Sequence, residues 1–411
     1  MAAEPNTAEH RPSPAAPDRS PEELVALAEA IAPTLTDRQA ETEERTFYAQ
    51  DTHEEFAAAG LYRILVPRRY GGYEYGIGTF LRVSMALARG CPSTGWMYCL
   101  GAAHAQAAAT FFEERTQDEI FGSGEFLCPL MIVPSGTAER TGDGDWVLNG
   151  TWKYGSGAPY ATHFMGHTMV DSDGNGEPEP MLFIAPRSEW RRLDDWGGQL
   201  GLNGSGSHSI VMENGRIPAH FTIERTHASR AAVDGGTPGL RLHGNPEYAG
   251  GPLSFMNLEV AALSVGMAKG ALDAYEELMR TRTTVVPPIV GRASNPDYQY
   301  WYGEATALIA TAEAAVFGAV EQWTGLCARG PFTREHDLRL SGVARHVIKL
   351  CWRAVEEFVF PTAGSSSVRH GQRIERVWRD MSTFHTHSGI SVLLPTMALR
   401  ELAQLRFGTG G

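Results

Sequence analysis

The sequence predicts an α+β chain, mostly helical, in the order helical domain, β domain, four-helix bundle. Three observations carry this. Apolar residues recur at helical spacing from Pro21 to Gly60 and again from about Thr79 to Gly122. From Glu125 to about Thr226 the texture changes to short apolar runs punctuated by Gly, Asp, Asn and Pro, the pattern of antiparallel strands and tight turns. Beyond a Gly-rich bridge, Gly235–Gly251, helical periodicity returns and stays.

Each element has its own signal. Residues 1–19 are Pro/Ala-rich without an apolar core, so they read as a disordered tail and not a signal peptide. Ser20, Pro21, Glu22 and Glu23 make a helix start: cap, proline at the first position, acids in the first turn. The second helical block is broken near Gly90-Cys91-Pro92. Thr141–Asp145 reads as a hairpin turn. Leu253–Arg282, Asp297–Arg329, Arg334–Phe360 and Arg369–Arg406 are four long helices whose apolar stripes want a bundle, and Gly266 and Gly270 permit close approach. The expected domains are therefore 20–124 (helical), 125–230 (β), 231–251 (linker) and 252–411 (bundle).

Composition excludes several classes. The formal net charge of −13, with no Lys/Arg-rich run, argues against nucleic acid or an anionic membrane as partner. The apolar runs fall short of the ~18 residues a membrane helix needs. The five cysteines, Cys91, Cys99, Cys128, Cys327 and Cys351, are scattered without CxxC spacing, so neither a disulfide framework nor a metal site is expected, and a reducing cytoplasm is the simplest setting. No P-loop or GxGxxG stands between a strand and a helix.

Four strings occur in order across nearly the whole chain: Gly60–Pro67 with Tyr70-Gly71-Gly72; Asn149–Gly157; Leu200–Ser207 followed by Ile217-Pro218; and Arg376–Asp380. Together they resemble the acyl-CoA dehydrogenase superfamily, which implies an N-terminal helical domain, a central β-barrel-like domain and a C-terminal four-helix bundle. Ser93-Thr94-Gly95-Trp96 followed by His104, Tyr154–Gly157, and Arg379-Asp380 with His387 resemble more narrowly its reduced-flavin-dependent, two-component monooxygenases, such as the oxygenase component of p-hydroxyphenylacetate hydroxylase and dibenzothiophene monooxygenase.

The resemblance implies reduced FMN or FAD as cofactor and O2 as co-substrate. One oxygen atom would pass through a C4a-hydroperoxyflavin into a small aromatic, heteroaromatic or amine-type substrate. A separate NAD(P)H-dependent reductase would supply the flavin, since the chain carries no nicotinamide fingerprint. Such chemistry needs a dry pocket, a hydrogen bond at flavin N5 and an acid–base group. Ser156, between two glycines, is the N5 candidate. His387 is the first acid–base candidate and His385 the second, because imidazole titrates near neutrality; on a helix the two lie about 160° apart, so one faces the pocket and the other does not. His104, among alanines, needs a partner or a ligand. Trp96, His104, Met131 and His387 are expected in the substrate pocket. Trp152, Ser156 and Ser207 are expected around the flavin ring, and Gly364, Ser365, Ser366 and Ser367, with Arg282 or Arg373, at its phosphate end. The strand before Pro134 has no serine, so its Leu130 and Met131 give an apolar wall. A homotetramer is expected, with Tyr298–Tyr302 as a contact.

Two other classes fit parts of the pattern. A dehydrogenase needs a carboxylate base, and 381–400 holds no Asp or Glu; Glu259, early in the bundle, is the substitute, though a helix glutamate is more commonly an exposed one. A flavin-free structural homologue is the other.

Overall fold

The computed structural model describes residues 18–122, 124–171 and 176–409, so residues 1–17 of the expected tail lie outside it. Helices α1 (Pro21–Asp37), α2 (Gln39–Arg45), α3 (Gln50–Ala58), α4 (Gly76–Gly90), α5 (Pro92–Ala102), α6 (His104–Phe111) and α7 (Glu114–Phe121) open the chain. The start of α1 is a capping box: Ser20 Oγ accepts from Glu23 N, and Glu23 returns a carboxylate oxygen to Ser20 N at 2.7 Å.

The central domain is two small antiparallel sheets where a barrel-like one was expected. Strands β1 (Thr137–Arg140), β2 (Trp146–Gly155), β5 (Arg191–Arg192) and β6 (His208–Ile217) form one in the order β1-β2-β6-β5. Strands β3 (His163–Val170), β4 (Glu179–Pro186) and β7 (Thr222–Ile223) form the other in the order β3-β4-β7. The turn at Thr141–Asp145 closes the β1–β2 hairpin, pairing Arg140 with Trp146. Aromatic rings bridge the sheets: Trp152 of β2 packs on Phe164 of β3 and Phe183 of β4, with centroids 5.7 and 5.4 Å apart.

The bridge before the bundle is more ordered than a bare linker. It holds α8 (Pro238–His243), whose Thr237 cap accepts from Leu240 N. Helices α9 (Pro252–Thr281), α10 (Pro296–Arg329) and α11 (Arg334–Arg353) then pack on one another. At Gly266 a Cβ would lie 2.3 Å from Met85 O, so glycine is what lets α9 lie directly on α4. Against the expectation that no apolar run is long enough, α10 has the length and composition to cross a membrane. In this fold it is a bundle helix, burying Ala305, Ile309, Ala312, Val316 and Trp323.

The third and fourth bundle helices are also less regular than their periodicity predicts. α11 widens into a π-helical stretch, Ala354–Val359, before α12 (Phe360–Ala363). The stretch Arg369–Arg406 is not one helix. α13 (Arg373–Thr386) stops at His387, whose ψ of 130° leaves the helical region; a π-helical segment, Gly389–Glu401, and α14 (Leu402–Phe407) follow. The break places His387 off the helix axis.

Candidate active site

A cavity of about 560 Å³ lies between the β domain, α5 and α6, the first turns of α9 and the end of α13. It contains Trp96, His104, Met131, Ser156, Ser207 and His387, so six of the expected residues line one space although the sequence spreads them over nearly 300 positions.

One wall is polar. Trp96 Nε1–H donates to Ser156 Oγ at 2.9 Å; Ser156 and Ser207 hydroxyls lie 2.7 Å apart, and Ser207 and Ser205 another 2.7 Å. Indole N–H only donates, so it occupies an acceptor position of Ser156 and leaves that hydroxyl's proton for Ser207 or a ligand. The loop carrying Ser205 and Ser207 is clamped by α13. Arg379 Nη1 donates to Leu200 O at 2.9 Å, and Asp380 accepts from Leu202 N at 2.5 Å. A Cβ on Gly201 would stand 2.2 Å from Arg379 O, so only glycine allows this approach. Arg379 is itself paired with Glu43 and Glu375, at 2.6 and 2.5 Å.

Two imidazoles face the cavity in opposite tautomers. Nδ1–H of His104 donates to Cys128 O at 2.7 Å, which leaves Nε2 as an acceptor. The Nδ1 of His387 accepts from Gly389 N at 3.2 Å, which leaves its proton on Nε2. Burial holds each at about 4, below the ordinary histidine value, so both are neutral at pH 7. Trp96 meets His387 edge to face, with centroids 5.3 Å apart.

Other expected site residues lie elsewhere. Trp152 is fully buried and does not line the cavity; its Nε1–H donates to His167 O at 2.9 Å inside the β core. Strand alternation explains this, because Thr151 and Lys153 on either side of it do face the cavity. His385 sits outside: its Nδ1–H donates back to Met381 O at 2.8 Å and its ring lies against Trp352. Gly364, Ser365, Ser366 and Ser367 form a turn between α12 and α13, away from the cavity lining. Near that turn Arg292 donates to Ala363 O at 2.9 Å, and its own N–H donates to Arg282 O at 2.9 Å, so Arg282 and Gly364 share one end of the bundle. Arg373 lies 3.7 Å from Asp273 and does not line the cavity either. None of these phosphate-end candidates lines the cavity that holds Ser156.

The sequence reading misplaced one candidate and passed over other lining residues. Glu259 is not an exposed helix glutamate: it is 2% exposed, lines the cavity, and its Oε2 has no hydrogen-bond partner. Desolvation raises its carboxyl well above the usual range, toward the protonated form. Thr383 Oγ1, also at the cavity, is buried and unpartnered. Asn257, Trp196 and Leu202 also line it; of these three only Leu202 had a signal, as part of a matched string.

Comparison with known proteins agrees with this architecture. Residues 22–119 match the acyl-CoA dehydrogenase N-terminal domain and 258–392 the acyl-CoA dehydrogenase C-terminal domain, together more than half of the chain. The chain is 27% identical to a flavin-dependent monooxygenase, oxygenase subunit HsaA, of Rhodococcus jostii (strain RHA1), over 93% of this chain and 96% of that protein. It is 26% identical to the oxygenase component of the FADH2-dependent resorcinol hydroxylase of Rhizobium sp. (strain MTP-10005), over 93% and 94%. The crystal structure of the HsaA monooxygenase from M. tuberculosis superposes with a TM-score of 0.84 at 25% identity, covering 95% of this chain and 98% of that one. With the α–β–α order, the clamped loop and both family domains in place, this chain belongs to the acyl-CoA dehydrogenase family.

Proposed function

We propose that the chain is the oxygenase component of a two-component flavin-dependent monooxygenase acting on a small aromatic, heteroaromatic or amine-type substrate. The observation that carries this is the cavity itself: a serine chain on one wall faces two neutral imidazoles, one a donor and one an acceptor, across an apolar interior. The named activities of the Rhodococcus and Rhizobium relatives support it.

The residues present fit a reduced flavin. Thr383 and Glu259 leave buried polar atoms unpartnered at a space of flavin-ring and substrate size, and buried polar atoms want partners. Ser156 and Ser207 would hold the ring edge. A bound reduced flavin supplies two electrons to O2, so that one oxygen atom enters the substrate and the other leaves as water. The chain's part is to position, to exclude water and to handle protons. His104 Nε2 accepts a substrate hydroxyl or amine proton, while His387 Nε2–H donates toward the oxygen being delivered. Leu100, Leu130, Met131 and Val260 keep the interior dry.

Among the described residues that line the cavity Lys153 is the one cationic side chain, and it is exposed. The phosphates of FMN or FAD therefore need cations from elsewhere. A homotetramer in which a neighbouring copy presents its Arg282 and its Gly364–Ser367 turn would meet that need, with the half-exposed Tyr298–Tyr302 segment as a contact. The flavin would arrive from a separate NAD(P)H-dependent reductase.

Rapid mixing of the protein and reduced flavin with oxygen and candidate aromatics tests the assignment. Oxygenated product should form without NADH oxidation by this protein alone. Because Glu259 lines the cavity, a dehydrogenase using it as base is the second reading; bleaching of bound oxidised flavin by an acyl-CoA would select it. A protein that never binds reduced flavin would be a structural homologue. Light scattering tests the tetramer.

A further inference from the structure

Resting on that oxygenase reading, we propose that Glu259 selects the substrate. From the α9 wall it hydrogen-bonds an uncharged polar group, a carbonyl or ring nitrogen, and turns away molecules carrying a carboxylate there.

Glu259 lies between Leu258 and Val260, both buried, and its cavity neighbours on α9 are Leu253, Met256 and Val260. Among the described residues that line the cavity Lys153 is the one Lys or Arg, and it is exposed on β2. An unpartnered carboxyl in such a place is costly and has no structural bond to justify it. A ligand that accepts from its O–H satisfies it. Burial favours the protonated form of the carboxyl, in which it is a donor and an acceptor at once. A substrate carboxylate would instead enter a low-dielectric pole with no guanidinium or ammonium to receive it, beside a group that becomes a like charge on ionisation.

The test uses the flavin-loaded protein and three ligands of similar size: 4-hydroxyacetophenone (ketone), 4-hydroxybenzoate (carboxylate) and tyramine (amine). Binding is read by tryptophan fluorescence and calorimetry without oxygen. Wild type should bind the ketone at least about tenfold tighter than the carboxylate, the ratio that one good hydrogen bond of ~1.4 kcal/mol supplies. Glu259→Gln keeps a donor and an acceptor and should preserve that preference within about threefold. Glu259→Leu should lose about tenfold in ketone affinity and bring the two ligands together. The proposal is overturned if wild type prefers the carboxylate, if none of the three binds, or if Glu259→Leu leaves the ratio unchanged. It is also overturned if tyramine binds best and Glu259→Gln abolishes that binding, since Glu259 would then be an ionised partner for a cation. No turnover is involved, so a Glu259-dependent ketone preference in a protein that makes no oxygenated product would sink the oxygenase reading alone.

Discussion

Asp380 holds the backbone N–H of Leu202 at 2.5 Å, and Leu202 stands at φ 55°, a conformation a leucine rarely adopts. The bond ties the end of the bundle to the loop that carries Ser205 and Ser207. It explains why an Arg-Asp pair on one helix and a Leu-Gly-Leu string in a loop 178 residues away occur together: they are two halves of one clamp.

Removing the acceptor should loosen that clamp. Asp380→Ala should cost about 1–3 kcal/mol, since it leaves the Leu202 N–H buried without a partner. Asp380→Asn keeps an acceptor oxygen and should cost less. Urea unfolding of both measures this, and equal losses would mean that the bond to Leu202 is not what matters at this position.

Ser156 and His387 should fail in different ways. Ser156→Ala removes the hydroxyl that accepts from Trp96 and should hasten the return of oxidised flavin after oxygen is added, even without substrate. Trp96→Phe keeps the edge contact with His387 while freeing Ser156, so its effect should be smaller. Stopped-flow absorbance of flavin follows both; an unchanged rate in Ser156→Ala would remove this serine from the ring site.

His387→Ala should instead spare flavin oxidation and cut oxygenated product by about 10²–10⁴-fold, the usual cost of a lost acid–base group, with hydrogen peroxide appearing in its place. His385→Ala should stay close to wild type, because that ring bonds Met381 O and lies outside the cavity. Product and peroxide assays decide, and a reversal of the two phenotypes would exchange their roles.

Stability should fall as pH drops from about 6.5 toward 4. Burial lowers His104, His163, His167, His208 and His387 to about 4, and lowers His53, His227, His243 and His385 as well. In that window the unfolded chain binds more protons at these groups than the folded one, so their contribution is present above the unfolded value and lost as pH falls through the folded one. Glu247, Glu259, Asp337 and Asp380 are raised by burial and act in the opposite sense, their contribution being lost as pH rises. The histidines outnumber them and should prevail. Denaturant midpoints measured from pH 7 to 4 check this; a flat or rising profile would show that the carboxyls win.

The order of domains, the capped start of α1, the Thr141–Asp145 hairpin and the family itself were legible in the sequence. Each rests on local periodicity, on turn chemistry, or on strings whose glycines and polar residues must touch a fixed backbone partner, as Gly201 touches Arg379. The cavity lining was legible where such strings ran into it, at Trp96, His104, Ser156, Ser207 and His387, and at Met131, read as an apolar wall. Tertiary structure alone decided the rest. Which face of β2 turns inward put Trp152 in the core and Thr151 at the cavity, because a one-residue step along a strand reverses the side chain. The break at His387 overrode a helical pattern that runs on through Arg406, since an apolar period cannot tell one helix from two segments joined by a turn. Glu259 looked like a surface acid because charge in a sequence reads as solvent exposure, and only the packing of α9 shows it buried and facing the cavity.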